Sequence, residues 1–177
     1  MGVTFESMNL VIINGPCGIG KSTVASALHQ TMPLSFLVDI DAIRRLISGY
    51  REHAEESGQS SFLVVLAMID AYIQTGHDVI VEKMLFDETR LDRMIALATQ
   101  RNAHVTEVML WASKDFVLKR AADRGYREDG LLTPEKCERF WNEMNELKAK
   151  RPHATIIDVE NLSPEEVVER IRTAVKV

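Results

Sequence analysis

Apolar residues along the chain follow two rhythms. Short, mostly β-branched runs at Met8 to Ile13, Phe36 to Val38, Asp78 to Val81, Val105 to Trp111 and Thr155 to Val159 alternate with longer stretches in which apolar residues recur every three or four positions. The first rhythm predicts strands buried on both faces, and the second predicts amphipathic helices. From Lys21 the pattern is helical, with Val24, Ala25 and Leu28 on one side, until Pro33 blocks continuation. A helix from about Asp41 is expected to carry Ile43, Leu46 and Ile47 inward and to stop at Gly49. Tyr50 to Gly58 is polar and without period, so a mobile connection is expected there. Phe62, Val65, Leu66, Ile69 and Ile73 then mark a long helix closed by Gly76.

Capping signals place the remaining helices. Asp87 precedes a stripe of Leu91, Met94, Ile95 and Ala98, and Ser113 opens a helix that runs to Gly125 and ends in a basic segment reaching Leu132. Thr133-Pro134-Glu135 starts a helix with Cys137, Phe140, Trp141, Met144 and Leu147 on its apolar side, ended by Pro152. Ser163-Pro164-Glu165-Glu166 is a capping box for the last helix, through Val167, Val168, Ile171, Ala174 and Val175. Five strands alternating with helices imply an α/β fold of three layers, α/β/α, with a mostly parallel sheet. Ligands of such a sheet sit outside the carboxyl ends of its strands, here Ile13, Asp39, Val81, Leu110 and Val159.

Composition narrows the setting. At 177 residues, with 46% hydrophobic and 27% charged, the chain suits one globular domain spanning 1–177. A net charge of -5 gives no overall attraction to nucleic acid or to an anionic membrane. Cys17 and Cys137 lie far apart in sequence and form no C-x-x-C, which argues against a disulfide framework or zinc site and for a reducing compartment. There is no apolar leader and no run of transmembrane length, and Glu6 stands where a myristoylation pattern needs Ser or Thr. A cytoplasmic protein with no membrane contact and no obligatory protein partner is expected.

The chemistry begins directly after the first apolar run. Asn14 to Thr23 reads N-G-P-C-G-I-G-K-S-T, with Gly15, Gly20, Lys21 and Ser22 at the spacing of a phosphate-binding P-loop. With glycine at about 7% of residues generally, a chance match to these four positions in a chain this long stays under roughly 1%. Gly15, Pro16, Cys17, Gly18, Ile19, Gly20, Lys21, Ser22 and Thr23 are therefore the expected nucleotide cradle: backbone amides meet phosphate oxygens, Lys21 reaches the β and γ phosphates, and the Ser22 hydroxyl holds Mg²⁺. Within the loop, Cys17 reads as a tolerated small residue rather than a redox switch.

Other strand ends add carboxylates. Asp39 is a candidate to hold a Mg²⁺-bound water, and Asp41 to align an acceptor hydroxyl, with capping of its own helix as the alternative role. Glu82 ends Val79-Ile80-Val81, where it would orient metal-bound water or act as base; a plain strand-end carboxylate is the alternative. Lys83 reads as solvated surface more readily than as a phosphate contact. Arg44, one turn after Asp41, is a candidate clamp for an anionic substrate or else a surface cation. Lys119 to Arg127 holds four cations in nine residues. Arg120, Arg124 and Arg127 would stabilise charge on the transferred group, with Gly125 and Gly130 as hinges, or else complement the dipole of a helix end.

Together these segments resemble the small P-loop kinases, a group including shikimate and gluconate kinases, chloramphenicol phosphotransferase, AAA-type kinases and the kinase domains of polynucleotide kinases. The resemblance rests on G-P-C-G-I-G-K-S-T at 15–23, V-D-I-D-A-I-R at 38–44, V-I-V-E-K at 79–83, L-K-R-A-A-D-R-G-Y-R at 118–127 and the closing V-E-N-L-S-P-E-E-V. It implies a five-stranded parallel sheet in the order 2-3-1-4-5, a lid at 120–132 over ATP, adenine between Arg120 and the loop at Asn161, and an acceptor site near Asp41. E-K-M-L-F replaces the glycine cluster of shikimate kinases, which disfavours shikimate, while D-A-I-R is similar to the D-x-x-R acceptor motif of polynucleotide kinases. Tunicamycin-resistance ATP-binding proteins are similar in layout, so antibiotic or nucleoside-like acceptors stay open. The leading expectation is an ATP- and Mg²⁺-dependent kinase acting on a small-molecule hydroxyl. A polynucleotide 5′-hydroxyl kinase and a nucleotide-binding ATPase, other NTPase or switch without kinase activity are the alternatives; the last is weakened by the absence of an N-K-x-D guanine-reading motif and by the segment in the 120s, which looks like a lid supplied by the chain itself.

Overall fold

The computed structural model describes residues 8–126 and 132–175. Its strands are β1 (Asn9–Asn14), β2 (Phe36–Asp39), β3 (Val79–Glu82), β4 (His104–Trp111) and β5 (Thr155–Asp158), and its helices are α1 (Lys21–Thr31), α2 (Ile40–Arg45), α3 (Ala54–Ile73), α4 (Glu88–Gln100), α5 (Lys114–Asp123), α6 (Pro134–Lys150) and α7 (Pro164–Ala174). All described strand pairs are parallel, in the order β2-β3-β1-β4-β5.

The central strand shows why the run at 9–14 reads as strand: all six of its residues are buried. Side chains alternate between faces. Val11 and Ile13 join a cluster with Val24, Leu28, Val117, Val168 and Ile171, whereas Leu10 and Ile12 join one with Phe62, Ile69, Leu91 and Met94. The first face is thus covered by α1, α5 and α7 and the second by α3 and α4; α6 contributes Cys137 to the former and Met144 to the latter.

Register brings the strand ends level. Ile13 and Asp39 both lie opposite Glu82, so the chain enters the phosphate loop beside the carboxylates that end β2 and β3. Among the described residues, no helix is long and apolar enough to cross a membrane.

Three local expectations are corrected. The helix after β2 ends at Arg45 with Ile40 as its buried residue, and Leu46, expected inside, is 84% exposed. The stretch 50–58, expected to be a mobile connection, is helical from Ala54. Its inward positions are Ser57 and Ser61, both buried, so the contact face there is polar and hydrophobic period does not reveal it. Ser57 Oγ accepts from Arg44 Nε at 3.0 Å and donates to the Tyr50 carbonyl at 2.8 Å. Phe140 and Trp141 are half-buried rather than core, stacked near Phe86 and Trp111 at ring separations of 5.5 and 5.1 Å.

Candidate active site

The loop between β1 and α1 takes its shape from glycine. Gly15, Gly18 and Gly20 have φ of +146°, +71° and +106°, a region that L side chains rarely adopt. A Cβ on Gly15 would lie 2.6 Å from the Leu110 carbonyl oxygen, and one on Gly18 would touch the backbone of Ala121. The loop is therefore pressed between β4 and α5. Cys17 and Ile19 point into the core and anchor it, at 6% and 2% exposure. Gly20 is the N-cap of α1 and has no side chain to cap with, so the amides of the first turn are left to an outside acceptor.

Lys21 Nζ donates to the carbonyls of Gly15 and Pro16, both at 2.9 Å. Burial pulls its pKa down to about 8, against the opposing pull of the Glu82 carboxylate. Ser22 Oγ donates to Glu82 Oε1 at 2.9 Å. Burial pushes the Glu82 carboxyl above its usual range; the Ser22 bond and Lys21 oppose this, while the negative charges of Asp39 and Asp41 add to it. Asp39 accepts from the Ala42 amide at 2.9 Å and lies 3.6 Å from Arg45, so the N-cap of α2 is Asp39 and not Asp41. The Asp41 carboxylate is instead paired with the Lys83 ammonium, which is therefore not simply solvated.

The cations sort themselves by position. Arg44 is engaged within the chain, by Ser57 Oγ and by the Tyr50 and Ala54 carbonyls at 3.4 and 2.6 Å. Arg120 lies over the Phe116 ring at 5.6 Å and reaches to 4.0 Å from the Cβ position of Gly20. It lines a cleft with Ile19, Gly20, Thr23, Val24, Val159, Leu162, Pro164 and Val167; Asn161 immediately precedes Leu162 without lining it. Arg124 is exposed at the C-cap of α5, and Gly125 follows with φ +65°. Arg127 and Gly130 lie outside the described residues, as does the expected lid from 127 to 131.

The oxygen donors around Ser22 suit Mg²⁺ chemically: a hydroxyl and a carboxylate in direct contact, with Asp39 and Asp41 near enough to disfavour ionisation of Glu82. No group of three His, Cys, Asp or Glu side chains among the described residues forms a ready metal cage. Mg²⁺ keeps waters and leans on substrate phosphates, so such a cage is not required.

Two contacts had no sequence signal. Cys17 and Cys137 are neighbours in one core cluster, and burial, followed by the Cys137 thiol, pushes the Cys17 thiol up to about 12. Asn14, read only as the residue opening the loop, is fully buried and hydrogen-bonded to Leu85.

A family model described as an AAA domain matches residues 10–135. That is more than half of the chain, and the chain belongs to this family. No curated protein matches its sequence. Among solved structures it is similar to a tunicamycin resistance protein from Deinococcus radiodurans, with 25% identity, a TM-score of 0.66 and 95% of each chain covered. It is also similar to a gluconokinase from Sinorhizobium meliloti 1021, with 18% identity, a TM-score of 0.65, and 96% of this chain and 94% of that one covered. A chain of the Pnkp1/Rnl/Hen1 RNA repair complex matches at 19% identity and TM-score 0.68, over 84% of this chain and 48% of that one. The latter two likenesses are of fold. The fold is that of the small nucleotide-binding P-loop kinases.

Proposed function

We propose that this AAA-domain chain moves the γ-phosphoryl group of ATP to a hydroxyl of a small-molecule acceptor. The observation that carries the reading is a row of polar groups leading away from the phosphate loop: Ser22 bonded to Glu82, Lys83 next in sequence, and Lys83 paired with Asp41. A phosphate loop by itself suits any nucleotide-binding protein. A carboxylate beside it that caps no helix suits one that also receives an acceptor.

In this reading the amides of 15–23 and the Lys21 ammonium hold the phosphates, and Ser22, Glu82 and Asp39 are the groups that would hold Mg²⁺. When bound, the metal would supply positive charge that offsets the negative charge of the phosphates. Asp41 aligns the acceptor hydroxyl. The acceptor's hydroxyl oxygen forms a bond to the γ-phosphorus, the bond from that phosphorus to the β–γ bridging oxygen breaks, ADP departs, and the hydroxyl proton passes to the carboxylate of Asp41 or Glu82. Most of the catalysis is positioning and charge stabilisation, for which Arg120 and Arg124 stand ready at the end of α5. The cleft between Arg120 and Val159 to Val167 takes the adenine, with Asn161 next in sequence to its lining residue Leu162. Two buried free thiols accord with a cytoplasmic setting.

ADP release tests the reading, first without acceptor, then with gluconate and other sugars, tunicamycin, nucleosides and 5′-hydroxyl oligonucleotides. Turnover that depends on one small acceptor is expected; equal turnover with none would overturn it. The Asp-x-x-Arg spacing at 41–44 supports a second reading, a polynucleotide 5′-hydroxyl kinase, which end-labelling of the oligonucleotide would favour.

A further inference from the structure

Asn14 ends β1 and is fully buried, and its side chain bonds two loops at once. Oδ1 accepts from the Gly15 amide at 2.8 Å and from the Leu85 amide at 3.0 Å, while Nδ2 donates to the Leu85 carbonyl at 2.9 Å. Gly15 opens the phosphate loop. Leu85, 5% exposed, anchors the segment that leaves β3 through Lys83.

The need for such a side chain follows from the topology. β1 and β3 pair up to Ile13 and Glu82, and the Lys83 amide still donates to the Ile13 carbonyl at 3.2 Å. Beyond that the chains part, one bending at Gly15 and the other running toward α4, so backbone bonds cannot continue between them. Asn14 replaces the missing rungs with its own amide. An apolar residue would fill the space but leave the Leu85 amide and carbonyl buried without partners.

We propose that Asn14 is a positioning residue that couples the two loops, so that nucleotide held at 15–23 fixes the 83–86 segment and, through it, Lys83 and Asp41. This rests on 15–23 being the nucleotide loop. Coupling of this kind is a difference in free energy between two sites and is measured as such. Amide hydrogen exchange at 84–86 is followed with and without Mg²⁺ and a non-hydrolysable ATP analogue, in the native chain and in Asn14→Ala, with analogue affinity taken by calorimetry.

In the native chain the analogue slows exchange at 84–86 by about fivefold or more. In Asn14→Ala that slowing is lost while the Kd rises by less than about threefold. Slowing that persists in Asn14→Ala, or a native chain that binds the analogue with no change at 84–86, overturns the coupling and leaves the nucleotide loop standing. A native chain that binds no analogue overturns the nucleotide reading and the coupling with it. If Asn14→Ala does not fold, Asn14→Ser decides: its single short hydroxyl cannot bond the Gly15 amide and both Leu85 groups together, so loss of slowing is expected, and undiminished slowing overturns the proposal.

Discussion

The loop from Gly15 to Thr23 rests on the core, whereas the carboxylate across from it stands on a short outer helix. Cys17 and Ile19 are buried beneath the loop, and Gly15 has no room for a single extra carbon. Asp41 lies in a six-residue helix with one buried residue, and its side chain is 52% exposed. Under the proposed function, the donor side rests on backbone geometry, which few residues permit at Gly15, Gly18 and Gly20. The acceptor side of that proposal rests on a side chain of an element that buries one residue.

The contrast is sharpest at Lys21. Lys21→Ala is expected to lower turnover about 1,000-fold, since a preformed charge at the phosphates is removed and no neighbour replaces it; ADP release measures this, and unchanged turnover would remove the loop from the chemistry. Gly15→Ala is expected to cost roughly 3 kcal/mol of stability, from a strained φ and the clash with the Leu110 carbonyl. A thermal melt within a degree of the native one would show that the loop is less constrained than its packing indicates. Asp41→Asn is expected to lower transfer about 50-fold while nucleotide affinity, read by calorimetry, holds. Loss of affinity instead would place Asp41 on the donor side and break the division.

The smallest effect concerns pH. Lys21 titrates near 8 in the folded chain, below its usual 10.5. The unfolded chain therefore holds more protons between about pH 8 and 10.5, and this group makes stability rise with pH across that window. Bound phosphate favours the ammonium and reverses the shift. Nucleotide binding above pH 8 should then take up a proton, and affinity should fall by up to about tenfold per pH unit. Calorimetry in two buffers of different ionisation enthalpy reads the proton directly; no difference between buffers would show that Lys21 is already fully charged. Glu82 acts in the opposite sense: burial raises its carboxyl, so the stability it contributes is present below its usual range and is lost as pH rises through the raised value.

Much of the scaffold was legible because its determinants are local. Ser113, Thr133 and Ser163 each accept from an amide three residues on, and Asp87 from one two residues on, so caps and helix starts are written in adjacent residues. The strand order implied by the family resemblance is the observed one. Leu46 and the helix from Ala54 were misread because exposure and a polar contact face depend on what lies opposite, which periodicity does not contain.

By itself, the sequence determined the phosphate loop, the alternation of strands and helices, and the carboxylates at the strand ends. These depend on φ preferences, hydrophobic period and capping, all of which act over a few residues. Tertiary structure alone decided which of those groups meet. Ser22 finds Glu82 across 60 positions, Lys83 finds Asp41 across 42, and Asn14 finds Leu85 across 71. Strand register sets such contacts, and register is fixed by how the whole sheet packs.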